Sequence, residues 1–145
     1  MEIQGEYWID AAPQHVWQDL NDPEVLRACI PGCESISQVG DDEYECDVIA
    51  KFGPVKAKFK SKLSVCDSNP PHSYAIVGEG KGGVVGFGKG RADVQLVAEG
   101  TGTQLRYNAN VTVGGKLAQI GSRLLSATTR KLSDQFFSAF SDRFE

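Results

Sequence analysis

The sequence has few of the residues on which enzyme chemistry and metal binding most often depend. It contains only two histidines, His15 and His72, and its four cysteines show no zinc-type pairing. A Ser-His-acid or Cys-His set cannot be assembled from one histidine on a short helix and another in a turn. We therefore expect no catalytic residues, no metal site and no cofactor. The cysteines are expected to be reduced thiols, packed as small hydrophobic groups.

Long apolar runs and an excess of positive charge are also missing. No stretch approaches the length of a membrane-spanning helix, and no secretory leader precedes Met1. The net charge of -4 disfavours nucleic acid as a partner. These absences predict a cytoplasmic protein. A chain of 145 residues is long enough to bury its own core, so we expect one domain over residues 1–145.

The clearest periodic pattern lies near the C-terminus. Apolar side chains recur at intervals of three or four residues from Leu117 to Phe144, which is the spacing of one helix face. The pattern predicts an amphipathic helix over about 116–142, roughly 40 Å long. Because the rest of the chain reads as β-structure, this stripe should pack on a sheet. The positions expected to be buried are Leu117, Ile120, Leu124, Leu132, Phe136 and Phe140.

Alternating apolar and polar residues predict strands through most of the remaining chain. Two short helices should follow the first strand, one beginning at Pro13 and the other after an N-cap at Asp22. The expected fold class is α+β, with a seven-stranded antiparallel sheet wrapped around the long C-terminal helix. The predicted strands are 2–9, 34–40, 43–52, 55–66, 72–78, 87–98 and 103–113.

One strand carries a lysine at every second position from Lys56 to Lys62. Such a stripe suits a membrane or an acidic partner, but it also suits pairing across a hairpin. A tight turn at Gly53-Pro54 would place Lys60 opposite Asp47 and Lys62 opposite Glu45. We favour cross-strand pairing, which contributes only about 0.2–1 kcal/mol for each pair.

Antiparallel connectivity brings several glycine- and proline-bearing segments to the same end of the sheet, where a cavity between sheet and helix should open. The glycines of one segment formally match a dinucleotide-binding pattern, but a strand follows them where that pattern needs a helix. The rim of the cavity is predicted to consist of Pro31, Gly32, Gly82, Gly83 and Gly114. The residues predicted to line the cavity and bind an apolar ligand are Ile30, Phe52, Phe59, Phe87, Tyr107, Leu117, Ile120 and Leu124.

Several segments carry a family resemblance that spans essentially the whole chain. They are Asn21–Leu26, Ile30–Glu34, Gly53–Lys56, Gly78–Gly83, and above all Gly114–Leu124 with Gln135–Phe137. Together they resemble the CoxG family of carbon monoxide dehydrogenase subunits, within the START-like (SRPBCC) helix-grip superfamily.

The resemblance implies a non-enzymatic accessory protein of a molybdenum hydroxylase of the carbon monoxide dehydrogenase type. It also implies a lipid- or quinone-like ligand and recruitment of the enzyme to the membrane, with a peripheral location at its inner face. Two alternatives stay open. One is a small enzyme of the superfamily, such as a polyketide cyclase, and the other is an assembly factor whose cavity holds no ligand.

Overall fold

The computed structural model describes residues 1–145 and contains seven strands and three α-helices. It also contains two short 3₁₀ segments, Gly83–Val85 and Gly115–Ile120. The elements in chain order are β1 (Glu2–Ile9), α1 (Pro13–Leu20), α2 (Pro23–Cys29), β2 (Cys33–Gly40), β3 (Glu43–Phe52), β4 (Val55–Asn69), β5 (Ser73–Lys81), β6 (Phe87–Glu99), β7 (Gly102–Gly114) and α3 (Ser122–Asp142).

The predicted fold class is confirmed. All seven strands form one antiparallel sheet in the order β1-β7-β6-β5-β4-β3-β2. Helix α3 packs against β1 and β3, which lie towards opposite edges, so the sheet curves around it. We call the side of the sheet that faces α3 the inner face. Because side chains alternate along a strand, most of the apolar residues of β3 to β7 share this face and most charged residues occupy the other.

The two short helices form as the sequence predicts. Pro13 begins α1, and the side chain of Asp22 caps α2 by accepting a hydrogen bond of 3.0 Å from the backbone N–H of Glu24. Val16 and Val25 then turn inward and join the core beneath one end of the sheet. The two helices thereby close one side of the space between α3 and the sheet.

The predicted register of the lysine strand is confirmed. Lys60 lies opposite Asp47, and Lys62 lies opposite Glu45 on the outer face. Neither lysine forms an ion pair with its opposite residue. Lys58 instead contacts Glu34 at the start of β2, with 3.2 Å between the ammonium and carboxylate groups. Exposed contacts of this kind contribute little to stability.

The predicted extent of the C-terminal helix is wrong at its start. Gly121 adopts a φ of 99°, which interrupts regular helix geometry, and α3 begins only at Ser122. Leu117 and Ile120 therefore belong to the preceding 3₁₀ segment. This break also rotates the buried face, so that Leu124 is 37% exposed where we expected it to be buried.

The other positions of the apolar stripe differ in how deeply they are buried along α3. Phe140 is fully buried, whereas Leu132 and Phe136 are only half-buried. The fully packed side chains of the helix are Leu125, Phe137 and Phe140. The tightest packing of α3 is therefore concentrated in its C-terminal half.

Replacing Phe140 by alanine tests this distribution. The substitution Phe140→Ala should lower the free energy of unfolding by about 3–5 kcal/mol, because it leaves a cavity in fully packed surroundings. Leu124→Ala, on the same helix, should cost only about 1–2 kcal/mol, because more than a third of that side chain is already exposed. Urea denaturation of both variants measures the difference. Equal losses would show that α3 is not held by its C-terminal half.

Candidate functional site

The apolar core is divided into two separate clusters. The larger one, here called the closed-end cluster, joins β1, β5, β6 and β7 to α1, α2 and the end of α3, and it includes Ile9, Leu105 and Phe140. The smaller one, here called the mouth cluster, forms around Phe59, Leu117 and Leu125. Its partly buried members are Ala50, Phe52, Val55, Ala57, Val85, Val113 and Ile120.

Between the clusters the inner face stays open to solvent. Val48, Leu63 and Val111 point to this face, yet they are only half-buried and belong to neither cluster. The strands beside them carry glycine where a side chain would otherwise fill the space. These glycines are Gly78 and Gly80 on β5 and Gly88 and Gly90 on β6, and they pair across the two strands. The result is an apolar space between α3 and the central strands.

The glycines do not contribute equally to this space. Leu63 leans over Gly78, so a side chain added at Gly78 would meet the Leu63 methyl group at 2.8 Å. An added Cβ at Gly88 would instead make an ordinary contact of 3.7 Å with Val113. Gly88 therefore marks a part of the inner face with room for a larger group.

The inner face from β3 to β7 has no charged side chain. Its most central polar pair is Cys46 and Ser61, which lie directly opposite each other on β3 and β4. Burial raises the pKa of the Cys46 thiol to about 11, and the neighbouring Ser61 hydroxyl opposes this only in part. Burial also raises the pKa of the Tyr74 hydroxyl. The site is therefore neutral near physiological pH.

The tyrosines at the ends of the inner face are tied into the packing. The hydroxyl of Tyr44 donates a hydrogen bond of 3.2 Å to the carbonyl oxygen of Asn21. Tyr7 donates to a carboxylate oxygen of Asp134 on α3, and its pKa is raised by burial and by this bond. These contacts hold α3 and the loop before α2 in place.

The structure brings four of the predicted lining residues together. Phe52, Phe59, Leu117 and Ile120 all belong to the mouth cluster, and the rings of Phe52 and Phe59 meet edge to face with their centroids 6.2 Å apart. Ile30 lies half-buried at the end of α2. The four mouth-cluster residues lie at the end of the sheet that carries the β3–β4 and β5–β6 turns.

The other three predicted lining residues lie elsewhere. Tyr107 is in the closed-end cluster, where its ring stacks on Phe137 with centroids 5.1 Å apart. Phe87 is 45% exposed at the start of β6. Leu124 lies over Gly53 at the β3–β4 turn. Strand alternation predicts which face Tyr107 occupies, but not towards which neighbour its ring leans.

The predicted rim segments do lie at one end of the sheet, but two of them touch each other. A side chain on Gly86 would collide with the carbonyl oxygen of Gly114, so the β5–β6 turn, with Gly82 and Gly83, closes against the end of β7. An open cleft of about 500 Å³ lies instead between α3 and β3. Its walls include Pro31, Gly32, Ile49, Thr128, Leu132 and Gln135.

Glycines with positive φ bracket both 3₁₀ segments. Gly83 and Gly86 have φ values of 64° and 113°, and Gly115 and Gly121 have values of 72° and 99°. L-residues rarely adopt this conformation, so glycine is needed at these points. The segments carry Val85, Leu117 and Ile120 into the mouth cluster. Sequence periodicity could not predict the role of Val85, because it lies in a turn with no regular repeat.

Neither histidine lies on the inner face. His15 is exposed on α1, with its imidazole 3.7 Å from the carboxylate of Asp19, and His72 is exposed in the β4–β5 turn. No group of His, Cys, Asp or Glu has the arrangement of a metal site. None of the helices combines the length and the apolar character needed to span a membrane.

Comparison with known protein families assigns the chain. The model of the CoxG family, which describes a subunit of carbon monoxide dehydrogenase, matches residues 5–144. The chain belongs to this family. A conserved protein from Geobacillus kaustophilus is 32% identical and superposes with a TM-score of 0.93, over 99% of this chain and 95% of that one. No curated protein is detectably similar in sequence.

More distant structures share the fold of this CoxG-family chain. The Zhui aromatase/cyclase from Streptomyces sp. R1128 superposes with a TM-score of 0.72 at 12% identity, over 99% of this chain and 92% of that one. A START superfamily protein from Mycobacterium smegmatis superposes with a TM-score of 0.72 at 13% identity, over 99% of this chain and 96% of that one. At such identities the likeness establishes the START-like fold, not a shared activity.

Alkylation of Cys46 tests whether the inner face has the low polarity described above. A pKa near 11 instead of 9 lowers the thiolate fraction at pH 8 about a hundredfold, and the thiolate is the reactive form. Iodoacetamide should therefore modify Cys46 far more slowly in the folded protein than in urea, as followed by peptide mass spectrometry. The folded-state rate should keep rising as the pH passes 9, where the unfolded-state rate levels off. Equal rates at pH 8 would mean that Cys46 is freely solvated.

Proposed function

We propose that this protein is a non-enzymatic accessory protein of a molybdenum hydroxylase of the carbon monoxide dehydrogenase type. In this proposal it binds a hydrophobic, lipid- or quinone-like molecule between α3 and the inner face of the sheet. It thereby helps to link the enzyme to the membrane. The observation that carries the ligand proposal is the uncharged, half-exposed inner face between two separate apolar clusters.

The chemistry of this face suits an apolar guest. Val48, Leu63 and Val111 present aliphatic surface that gains about 25 cal/mol per Å² when it is removed from water. A ligand tail gains about 0.8 kcal/mol for each methylene that it buries, before the entropy cost of binding. The neutral Cys46 and Ser61 can form hydrogen bonds with a polar head group without requiring an opposite charge. A carbonyl-bearing ring with an aliphatic tail fits both properties.

The interior is poorly equipped for acid–base catalysis. A general acid or base works best with a pKa near the operating pH, whereas the pKa values of Cys46 and Tyr74 are raised by burial. The histidines are on the surface, away from the inner face. These features favour binding over the cyclase alternative, although aromatase/cyclases use the same fold.

Ligand uptake would require movement at the mouth cluster or through the cleft beside α3. The 3₁₀ segment Gly115–Ile120 holds Leu117 in the mouth cluster and is bounded by Gly115 and Gly121, and glycine has the widest range of backbone conformations of any residue. The segment Gly83–Val85 is similarly bounded and packs beside it. We propose that these two segments move together to admit the ligand.

The proposed link to the dehydrogenase rests on the family. The CoxG family is named for carbon monoxide dehydrogenase, with which the name associates its members. Co-purification of a dehydrogenase of this type with the tagged protein from its native host would support the proposal. If the protein retains its ligand but no such dehydrogenase co-purifies with it, the protein is a carrier that does not serve this partner.

The ligand proposal is tested by organic extraction of the purified protein and by titration with decylubiquinone. Mass spectrometry of the extract should reveal a quinone or lipid, and quenching of tryptophan fluorescence should report saturable binding of the probe. If the extract contains no apolar molecule and decylubiquinone does not bind, the carrier proposal fails. The assembly-factor alternative, in which the space holds no ligand, then replaces it.

A cavity-filling substitution locates the site. Gly88→Leu places an aliphatic side chain on the inner face at the position where an added Cβ meets no closer atom than 3.7 Å. It should weaken decylubiquinone binding about tenfold or more, since displacing even one methylene of a ligand costs that much. The thermal midpoint should change little. Val77→Leu, on the outer face of the neighbouring strand, is the matched control and should bind normally.

A further inference from the structure

Charge is unevenly distributed along the chain. No acidic residue occurs within 48–66, 80–92 or 100–133. All the basic residues except Arg27 and Arg143 fall within these three stretches. The negative net charge of the whole protein therefore conceals long segments that carry positive charge alone.

The fold gathers cations from these segments at the end where the mouth cluster lies. The β3–β4 turn, the β5–β6 turn, the second 3₁₀ segment and the start of α3 all meet there, since Leu124 covers Gly53 and Gly86 abuts Gly114. We call this the basic end. Its exposed cations are Lys51, Lys56, Lys81, Lys116 and Arg123.

These cations have no carboxylate partners. None of them takes part in an ion pair. Lys58, two residues beyond Lys56 on β4, does form one, and so do Arg91 and Arg106 farther along the sheet. Lys51 even lies directly opposite Lys56 in the β3–β4 hairpin. Like charges placed opposite each other are destabilising in a hairpin. Folding alone therefore does not account for this arrangement.

The opposite end of the sheet has the reverse sign. The β2–β3 turn contains Asp41 and Asp42, Asp67 lies near the end of β4, and Glu99 precedes the β6–β7 turn. The molecule thus has an acidic end and a basic end. A negatively charged surface would attract it with the basic end foremost.

Apolar side chains project from the basic end beside the cations. Val84 is 84% exposed at the tip of the β5–β6 turn, between Lys81 and Phe87, and Phe87 is itself 45% exposed. Leu124 projects from the first turn of α3 next to Arg123. Protruding apolar groups set among unpaired cations match the two layers of an anionic bilayer surface, which are acyl chains beneath charged head groups.

We propose that the basic end docks on a bilayer that contains anionic lipids, with Val84 entering the acyl region and the lysines contacting the head groups. This deepens the proposed function and rests on it for its purpose, because docking would place the mouth cluster against the membrane from which an apolar ligand is taken. An acidic protein surface would attract the same cations, but it would have no apolar layer that the protruding Val84 could enter.

Flotation with lipid vesicles tests the charge component. The protein should bind vesicles of phosphatidylglycerol and phosphatidylcholine in equal parts, and not vesicles of phosphatidylcholine alone. The triple variant Lys51→Gln, Lys56→Gln and Arg123→Gln should lower the partition coefficient about a hundredfold. A matched control variant, Arg27→Gln, Arg106→Gln and Arg143→Gln, removes the same charge away from the basic end. Its partition coefficient should fall less than about tenfold.

A second pair of variants tests insertion of the apolar tip. Val84→Ser should weaken binding to the mixed vesicles, whereas Val97→Ser, at a 52% exposed position near the acidic end, should not. Both side chains are exposed, so folding should be unaffected. If both triple variants lose binding equally, or if Val84→Ser has no effect, the basic end is not the docking surface. Failure of the wild type to prefer the anionic vesicles also overturns the proposal.

Ligand binding is measured separately, so that the two proposals can fail independently. Decylubiquinone is delivered from cyclodextrin without vesicles to the wild type and to the triple variant of the basic end. Equal uptake with lost vesicle binding supports docking as a distinct step. If the wild type takes up decylubiquinone but does not bind anionic vesicles, only the docking proposal is refuted. If the protein binds vesicles but takes up no decylubiquinone and yields no apolar molecule on extraction, only the ligand proposal is refuted.

Discussion

The stacking of Phe137 on Tyr7 and Tyr107 anchors the C-terminal half of α3 to β1 and β7, with ring centroids 4.6 and 5.1 Å away. Phe140, one turn further on, is fully buried against the same group of strands and short helices. These aromatic contacts bury the largest apolar side chains of the helix at one end of the molecule. The position of α3 over the sheet follows from this anchor, and the rest of the interior is shaped around it.

Because the anchor lies at one end, the central strands are not packed tightly against α3. The glycines of β5 and β6 remove the side chains that would otherwise reach the helix, and Leu63 fills only part of the gap. Close-packed interiors normally leave few voids larger than a water molecule. An apolar space that persists in a small protein therefore has a cost in stability, which a bound apolar ligand would offset.

The fold alone does not distinguish a carrier from an enzyme. START-like structures include aromatase/cyclases, and the backbone of this chain superposes well on one of them. The difference has to come from the side chains that the fold presents to its interior. Here these are aliphatic groups with a neutral thiol and hydroxyl at Cys46 and Ser61, while the charged residues lie outside and are sorted by sign towards opposite ends. In the two proposals above, apolar binding inside and electrostatic orientation outside are assigned to separate surfaces.

Local pattern was sufficient to predict most of the fold. Strand positions followed from alternation, the Lys60–Asp47 register followed from the Gly53-Pro54 turn, and the start of α2 followed from Asp22. Each depends on interactions between residues that are close in sequence, or on a turn that leaves a single pairing. The family resemblance agreed with this fold and added the expected connection to carbon monoxide dehydrogenase, and the family model matches residues 5–144.

The candidate site was predictable only in part, because it depends on contacts between segments that are distant in sequence. An apolar repeat every three or four residues runs unbroken through Gly121, so it could not reveal that the helix begins after that glycine or that Leu125 is buried in place of Leu124. Nor could alternation along β7 predict that Tyr107 leans over Gly5 towards Phe137. The sequence by itself determined which residues face inward, since that follows from backbone periodicity. Only the tertiary structure decided which of them pack together and which border an open space, because that depends on where α3 comes to rest.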